Sequence, residues 1–131
     1  MASNRRITLQ QLPDAINDIL KEYGENITKN IPEITERVGK EGVKALKDES
    51  RSKFNGEKYW KGWRLQTEHE RLRSGFTIYN AKLPGLPHLL EHGHAKRNGG
   101  RVEGRAHIAP VEQTLIAEYE RKIINDLSRN S

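Results

Sequence analysis

The stretch WRLQTEHERLRSGFTIYNA, residues 63–81, decides the fold class. In both halves of it, apolar or β-branched residues alternate with polar ones, a period of two that is typical of a strand with one buried face. The residues on the apolar side are Trp63, Leu65, Thr67, Phe76 and Ile78. The stretch therefore predicts two antiparallel strands joined through residues 70–74. Because two strands alone are marginally stable, we expect this sheet to rest on helices.

The chain before the hairpin predicts a long helix over residues 8–50. Thr8 and Gln11 fit a helix-capping box. Apolar residues then recur at steps of three or four, which places them in one stripe on a helix. They are Ile16, Leu20, Tyr23, Ile27, Ile31, Ile34, Val38, Ala45 and Leu46. Pro32 lies inside the pattern and predicts a kink or a break near residues 30–31.

The chain after the hairpin contains LPHLLEHGHAKRNGGRVEGRAHIAP, residues 86–110, which hold four of the five histidines. LPHLLEHG predicts one short helical turn that ends at Gly93. The following HAKRNGGRVEGR predicts a loop, because its Asn-Gly-Gly run breaks regular elements. Pro110 suits the start of a last helix. The apolar residues of that helix are Val111, Leu115, Ile116, Tyr119, Ile123 and Leu127.

Residues 51–60 predict a turn-rich connector between the first helix and the hairpin. At 131 residues, the chain is predicted to form one domain, residues 1–131. We predict an α+β fold with a long kinked N-terminal helix, a small antiparallel β-sheet, a glycine-rich basic loop and a C-terminal helix.

Composition narrows the classes of function. Hydrophobic residues make up 34% and charged residues 31%, which predicts a small core, either of a solvated helical domain or of a subunit stabilised by its neighbours. A net charge of +5 suits nucleic acid or an acidic surface as a partner. The absence of cysteine excludes disulfides and thiolate zinc sites. No signal peptide and no apolar run of about 20 residues is present, so we expect a soluble protein made in the cytosol.

The histidines do not form a convincing metal or nuclease motif. His88, His92 and His94 give H-x3-H-x-H, and an i, i+4 pair can bind zinc, but the helix is expected to end between them and no carboxylate completes the set. His107 faintly matches the start of an HNH motif, yet Ala106 before it cannot bind a metal. No GxSxG, P-loop or GxGxxG pattern is present either. We therefore predict no catalytic residue, no metal and no cofactor.

Four cations crowd the glycine-rich loop, with only Glu103 opposing them. They are Lys96, Arg97, Arg101 and Arg105. Such a loop can contact phosphates. No aromatic residue is interleaved to stack on bases, and no helix-turn-helix or zinc-finger pattern is present. A DNA-binding accessory protein that uses the basic loop, residues 94–105, is therefore the alternative hypothesis.

Residues 86–112 resemble the head–tail joining, or neck and tail-completion, protein family of long-tailed double-stranded DNA bacteriophages. The family turn Leu-Glu-x-Gly-His/Thr is matched by residues 90–94, and its basic glycine-rich loop by residues 95–104. The closing element Arg/Lys-Pro-His/Phe-Ile/Leu-x-Pro is matched by residues 105–110. One departure is Ala106, where many relatives carry proline.

The resemblance implies a structural virion protein of the neck, made in the host cytoplasm, and not an enzyme. It implies a homo-oligomeric ring of six or twelve copies that completes the tail and surrounds the DNA channel. The implied partners are the head-completion or connector protein, the tail terminator or tail tube protein, and genomic DNA passing through non-specifically, with no membrane.

We hypothesise that the loop over residues 93–107 is an assembly element of this ring. The residues expected at its interface are Glu91, His92, Gly93, His94, Lys96, Arg97, Arg101, Arg105, His107 and Pro110. We also expect Glu91 to pair with Arg97 or Arg105, within or between subunits. His88 and His92 are expected to pack or hydrogen-bond at the edge of the sheet.

Overall fold

The secondary structure follows the predicted order of long helix, hairpin, loop and helix. The computed structural model describes residues 6–8, 30–70 and 73–130. In chain order the elements are strand β1 (Arg6–Thr8), helix α1 (Ile31–Lys53), helix α2 (Glu57–Trp60), strands β2 (Trp63–Glu70) and β3 (Arg73–Asn80), helix α3 (Leu86–His92), strands β4 (Gly93–Ala95) and β5 (Arg101–Glu103), and helix α4 (Ala109–Asn130). The α+β class predicted from the sequence is confirmed.

Strand β3 is the centre of a three-stranded antiparallel sheet in the order β1–β3–β2. Trp63 lies opposite Asn80 in the β2–β3 hairpin, so the two strands predicted from the alternation are confirmed. β1 joins the other side of β3, with Ile7 opposite Ile78. Thr8 is thus the last residue of a strand, and the predicted helix between it and Asn30 lies outside the described residues. β4 and β5 form a separate antiparallel pair.

Helix α1 begins at Ile31, with Pro32 in its first turn. Proline is tolerated there because the first N–H groups of a helix have no partner within the helix. The part of the predicted helix before Asn30 lies outside the described residues, so the kink at Pro32 stays a prediction. At its other end α1 continues to Lys53, and α2 forms soon after it. The connector predicted over residues 51–60 is therefore mostly helical.

The core lies between one face of the three-stranded sheet and the helices α1 and α4. The rings of Phe76 and Tyr119 have centroids 5.6 Å apart. Gly42 permits the close packing of α1, since a Cβ there would lie 2.5 Å from Leu115 Cδ1 and 2.6 Å from Ile78 Cδ1. The buried apolar residues are Ile31, Ile34, Val38, Leu46, Tyr59, Trp63, Phe76, Ile78, Ile108, Val111, Leu115, Tyr119, Ile123 and Leu127. The apolar stripes predicted for α1 and α4 supply most of them.

Two side chains join the sheet to the helices through buried hydrogen bonds. Trp63 Nε1 donates to Ser50 Oγ at 2.9 Å. Asn80 Nδ2 donates to the Tyr59 carbonyl at 2.7 Å, and Asn80 Oδ1 accepts the Leu83 N–H at 2.9 Å. A buried polar group left without a partner costs about 1–3 kcal/mol, so these bonds favour one placement of α1 and α2 against the end of the sheet.

Alanine substitutions at the adjacent residues Ile123 and Ile124 test which face of α4 lies in the core. Ile123 is 1% exposed and Ile124 is 51% exposed on the same helix. We expect Ile123→Ala to lower the free energy of unfolding by about 2–5 kcal/mol, because it leaves a cavity. The same substitution at Ile124 should change it by no more than about 0.5 kcal/mol. Urea unfolding followed by circular dichroism measures both, and equal losses would contradict this placement of α4.

Candidate functional site

The predicted loop is a β-hairpin. β4 and β5 pair antiparallel, and we call residues 93–104 the basic hairpin. Lys96 N–H donates to the Gly100 carbonyl at 3.0 Å, and Gly99 N–H donates to the Lys96 carbonyl at 3.3 Å. Gly99 and Gly100 have φ angles of 93° and 82°, a region that residues with a Cβ rarely adopt. The glycines that led us to predict a loop over residues 94–105 instead form the turn between two strands.

The basic hairpin projects from the core. Every residue from 94 to 103 is exposed. Lys96 and Arg97 lie at its turn, while the Arg101 guanidinium donates to the backbone carbonyl of His92. Lys96 and Arg97 are therefore the cations best placed to contact a partner, whereas Arg101 already binds a carbonyl within the chain.

The base of the basic hairpin is a direct contact between two backbone segments. A Cβ on Gly93 would lie 2.7 Å from the Gly104 nitrogen, and a Cβ on Gly104 would lie 2.7 Å from the Gly93 nitrogen. Arg105 N–H donates to the Leu90 carbonyl at 2.8 Å, and its guanidinium donates to the Lys53 carbonyl at 2.8 Å. The base of the hairpin is thus attached to α3 by a backbone hydrogen bond and to the end of α1 by the Arg105 side chain, with no room for a side chain at the two glycines.

The Glu91 carboxylate lies at the start of α4. Its Oε1 accepts the N–H groups of His107 and Ile108, both at 2.8 Å, and its Oε2 accepts the N–H of Ala109 at 3.0 Å. A helix start has unpaired N–H groups and a positive partial charge, so a carboxylate stabilises it. Burial acts to raise the pKa of Glu91, but these N–H donors and the His107 imidazole outweigh it and hold the pKa below its usual value. Glu91 is therefore ionised at neutral pH.

His107 is fully buried beside Glu91. Its Nδ1 lies 2.9 Å from the Arg105 carbonyl and 3.0 Å from Glu91 Oε1, and both of these atoms are acceptors. Burial lowers the pKa of His107, although the Arg105 carbonyl and Glu91 oppose the effect. The imidazole is therefore neutral, with its proton on Nδ1, and Nε2 accepts the Tyr59 hydroxyl at 2.7 Å. We call Glu91, His107 and Tyr59 the Glu91 cluster.

Two of our predictions about side-chain partners need correction. Within this chain Glu91 does not take Arg97 or Arg105 as its partner, because its oxygens are used at the start of α4 and the Arg105 guanidinium lies on a carbonyl of α1. His88 and His92 do not lie against the sheet. Both are exposed on α3, with ring centroids 5.1 Å apart.

The sequence did not reveal Tyr59 as a member of the site. Tyr59 is 48 residues from His107, and nothing in its local pattern distinguishes it from a core aromatic residue. Pro110, which we did predict, is the second residue of α4 and is exposed. The ten predicted site residues therefore divide into a group at the base with little or no exposure, Glu91, Gly93 and His107, and an exposed group along the hairpin and at its flanks.

The Glu91 cluster is the buried part of this site, and the basic hairpin is its exposed part. Within residues 6–8, 30–70 and 73–130, no three His, Asp or Glu side chains come together in a way that could hold a metal ion. His107 and Tyr59 are 0% and 2% exposed, so the Glu91 cluster is closed to a substrate. Among the helices described, none combines the length and the apolar character needed to cross a membrane. The arrangement presents a basic hairpin from a fixed base.

Comparison of the chain with models of protein families, with curated proteins and with solved structures gave no match. The role of the site is therefore inferred from its geometry and from the motif in residues 86–112.

We expect Glu91→Gln to lower the free energy of unfolding by about 1.5–3 kcal/mol at pH 7, because it weakens hydrogen bonds to a charged acceptor. The folded pKa of Glu91 lies below its usual value. Its contribution is therefore present above a pH of about 4.3 and is lost as the pH falls through the folded pKa. Urea unfolding at pH 7 and below pH 4 should show the difference between variant and wild type shrinking.

Glu103→Gln is the matched control, because Glu103 is an exposed carboxylate on β5. It should change the free energy of unfolding by no more than about 0.5 kcal/mol at either pH. A Glu91→Gln variant as stable as Glu103→Gln would show that the carboxylate does not stabilise the start of α4.

His107 should make stability depend on pH between about 5 and 7. Its folded pKa lies below the unfolded value of about 6.5, so below that pH the unfolded chain binds a proton that the folded chain does not. Stability should therefore fall as the pH drops through 6.5. Urea unfolding measures this fall in stability. We expect His94→Gln, a control at an exposed residue, to show the full fall and His107→Gln to show a smaller one. An equal fall in both variants would assign it to another group.

Proposed function

We propose that this protein is a structural subunit of the neck of a long-tailed bacteriophage. It forms a ring at the head–tail junction that completes the tail and joins it to the capsid connector around the DNA channel. The proposal has two supports: the motif in residues 86–112, and the way in which the fold presents the central part of that motif.

The observation that carries the proposal is the basic hairpin, exposed along its length and fixed at its base. Fixing an interface element before binding reduces the entropy that association must remove. The hairpin also has apolar surface beside its cations, since Val102 is 39% exposed, and Leu89 on the adjacent α3 is 39% exposed too. Exposed apolar side chains next to charges are the composition expected of a surface that another subunit covers.

A ring needs a second patch on each subunit, because cyclic assembly joins two different surfaces of one chain. A shallow groove of about 370 Å³ between α1 and α4 supplies a suitable one. Asp48 and Glu49 line it, together with the apolar side chains of Ala45 and Val111. Its acidic and apolar lining complements Lys96, Arg97 and Val102. In our proposal the basic hairpin of one subunit enters this acidic groove of the next.

The remaining partners follow from the position of such a ring. One face meets the head-completion or connector protein, and the other meets the tail terminator or tail tube protein. Genomic DNA passes through the ring without sequence-specific contacts. Six or twelve copies are the expected numbers, and the neck of the virion is the expected location.

Light scattering of the purified protein, alone and mixed with tail tubes or DNA-filled heads, tests the proposal. We expect a ring in one of these conditions. Lys96→Glu combined with Arg97→Glu should abolish it, because the hairpin then repels the acidic groove. Lys44→Glu combined with Lys58→Glu makes the same change in charge at exposed positions elsewhere and should leave the ring intact.

A charge exchange identifies the two surfaces of the contact. Asp48→Lys combined with Glu49→Lys should also abolish the ring, and adding these changes to the Lys96→Glu and Arg97→Glu chain should restore it. A wild-type protein that stays monomeric with both partners would contradict the neck proposal. If that monomer bound duplex DNA with a steep dependence on salt, the alternative that uses residues 94–105 would replace it.

A further inference from the structure

A second charged surface lies on the other flank of α1, away from the acidic groove. It is an open groove of about 870 Å³ between α1 and β2, which we call the basic groove. Five of its lining residues are cations and one is an acid, Glu36. The cations are Lys40, Lys47, Lys61, Arg64 and Lys82. This surface is separate from the basic hairpin and has no part in the proposed ring contact.

The basic groove follows the outer edge of β2. Leu65 faces α1, because a Cβ on Gly39 would lie 2.6 Å from Leu65 Cδ1. Successive side chains of a strand point to opposite faces, so Arg64 lies on the other face of the sheet. The groove contains both Leu65 and Arg64, and hence it wraps around the edge of the strand.

No strand among the described residues pairs with that edge. β2 lies at the end of the strand order β1–β3–β2, so in the described part of the chain its only strand neighbour is β3. The outer edge of such a strand presents backbone N–H and C=O groups, which an added strand can pair with. At eight residues β2 is long enough to pair with a short extended segment.

The floor and one end of the basic groove are apolar and aromatic. Val43 and Leu65 supply the floor, and Trp60 lies at the end. Cations already flank the Trp60 ring: Arg51 lies 5.0 Å and Lys61 5.3 Å from its centroid. An occupant therefore needs apolar side chains for the floor and negative charges for the rim.

The present ion pairs of these lysines are exposed. Lys40 lies 3.4 Å from Glu36, with 71% and 54% of the two side chains exposed, and Lys61 pairs with the exposed Glu57. Exposed pairs of this kind are weak because water and salt screen them, so an incoming carboxylate can take their place at little cost.

We infer that the basic groove binds an acidic segment of a partner protein in extended conformation, which adds to the edge of β2 as a fourth strand. Alternate side chains of the segment face α1, so apolar ones pack on Val43 and Leu65, and acidic ones beside them on the same face meet Lys40 and Lys47. This inference does not depend on the neck proposal, because it uses neither the basic hairpin nor the ring.

A protein strand fits these features better than a nucleic acid does. Phosphate recognition would use the cations alone and would leave the strand edge and the apolar floor without a role. Glu36 would also repel a continuous phosphate backbone, whereas a segment with spaced carboxylates can avoid it. The strand edge is thus the feature that decides between the two classes of partner.

The test uses an acetylated peptide with the eight-residue length of β2, in which one face carries glutamate, valine, valine and glutamate in turn and the other face carries threonine. Calorimetry measures its affinity for the full chain, and amide NMR shifts locate it. We expect binding that moves the amides of β2 and that falls at least about tenfold in Lys40→Glu combined with Lys47→Glu. Lys44→Glu combined with Lys58→Glu, the same change in charge outside the groove, should keep the wild-type affinity.

Two peptide controls separate charge from strand pairing. The same peptide with lysine in place of glutamate should not bind, and the acidic peptide with alternate backbone nitrogens methylated should lose its affinity while keeping its charge. Equal binding of the methylated peptide would overturn strand addition. If the acidic peptide does not bind, the assignment of a protein segment is overturned. It is also overturned if duplex DNA binds more tightly than the peptide and the Lys40→Glu and Lys47→Glu substitutions together abolish that binding.

Discussion

The Glu91 carboxylate at the start of α4 is the interaction on which the arrangement of the C-terminal half depends. It lies on α3, two residues before the basic hairpin begins, and accepts three backbone N–H groups on the far side of that hairpin. The chain leaves α3, forms the hairpin and returns to the same carboxylate. A charged acceptor is stronger here than a neutral one, because α4 directs its positive end at it. The buried His107 and Tyr59 then join this point to α2.

The apolar core and the charged surfaces occupy separate parts of the molecule. Its small core, from one sheet face, α1 and α4, holds the apolar stripes and a few buried polar contacts such as that of Trp63 with Ser50. The charges are left on the outside, and they are not spread evenly. The flanks of α1 carry an acidic groove on one side and the basic groove on the other, and the basic hairpin projects beyond α3. A low share of apolar residues is sufficient for such a fold, because the core is small.

Periodic features of the sequence predicted periodic parts of the fold. The spacing of Val38, Leu46, Tyr119 and Ile123 predicted both described long helices and their buried faces, and the alternation around Phe76 predicted the hairpin. The sequence pattern did not predict the three-residue strands β1, β4 and β5, because they are too short to repeat a pattern. In the connector, the residues before and after a short non-helical segment at 54–56 are helical, where turns were predicted.

The motif singled out residues 86–112 but did not predict their contacts. The partners of Glu91 are 16 to 18 residues away, and those of His107 include a residue 48 positions distant. Contacts over such separations depend on how whole elements pack, which local spacing does not record. For the same reason the basic groove, built from α1, α2, β2 and Lys82, has no signature in the sequence.

Amide hydrogen exchange in wild type and in Glu91→Gln tests the central claim most directly, since it reports local opening residue by residue. If Glu91 fixes the base of the basic hairpin, the variant exchanges faster at the amides of His107, Ile108 and Ala109. Exchange also rises together at Gly93, where the hairpin begins, and at Arg105, directly after it ends, while β2 and β3 keep their protection. Unchanged exchange at the hairpin base, with faster exchange confined to the start of α4, would contradict the account.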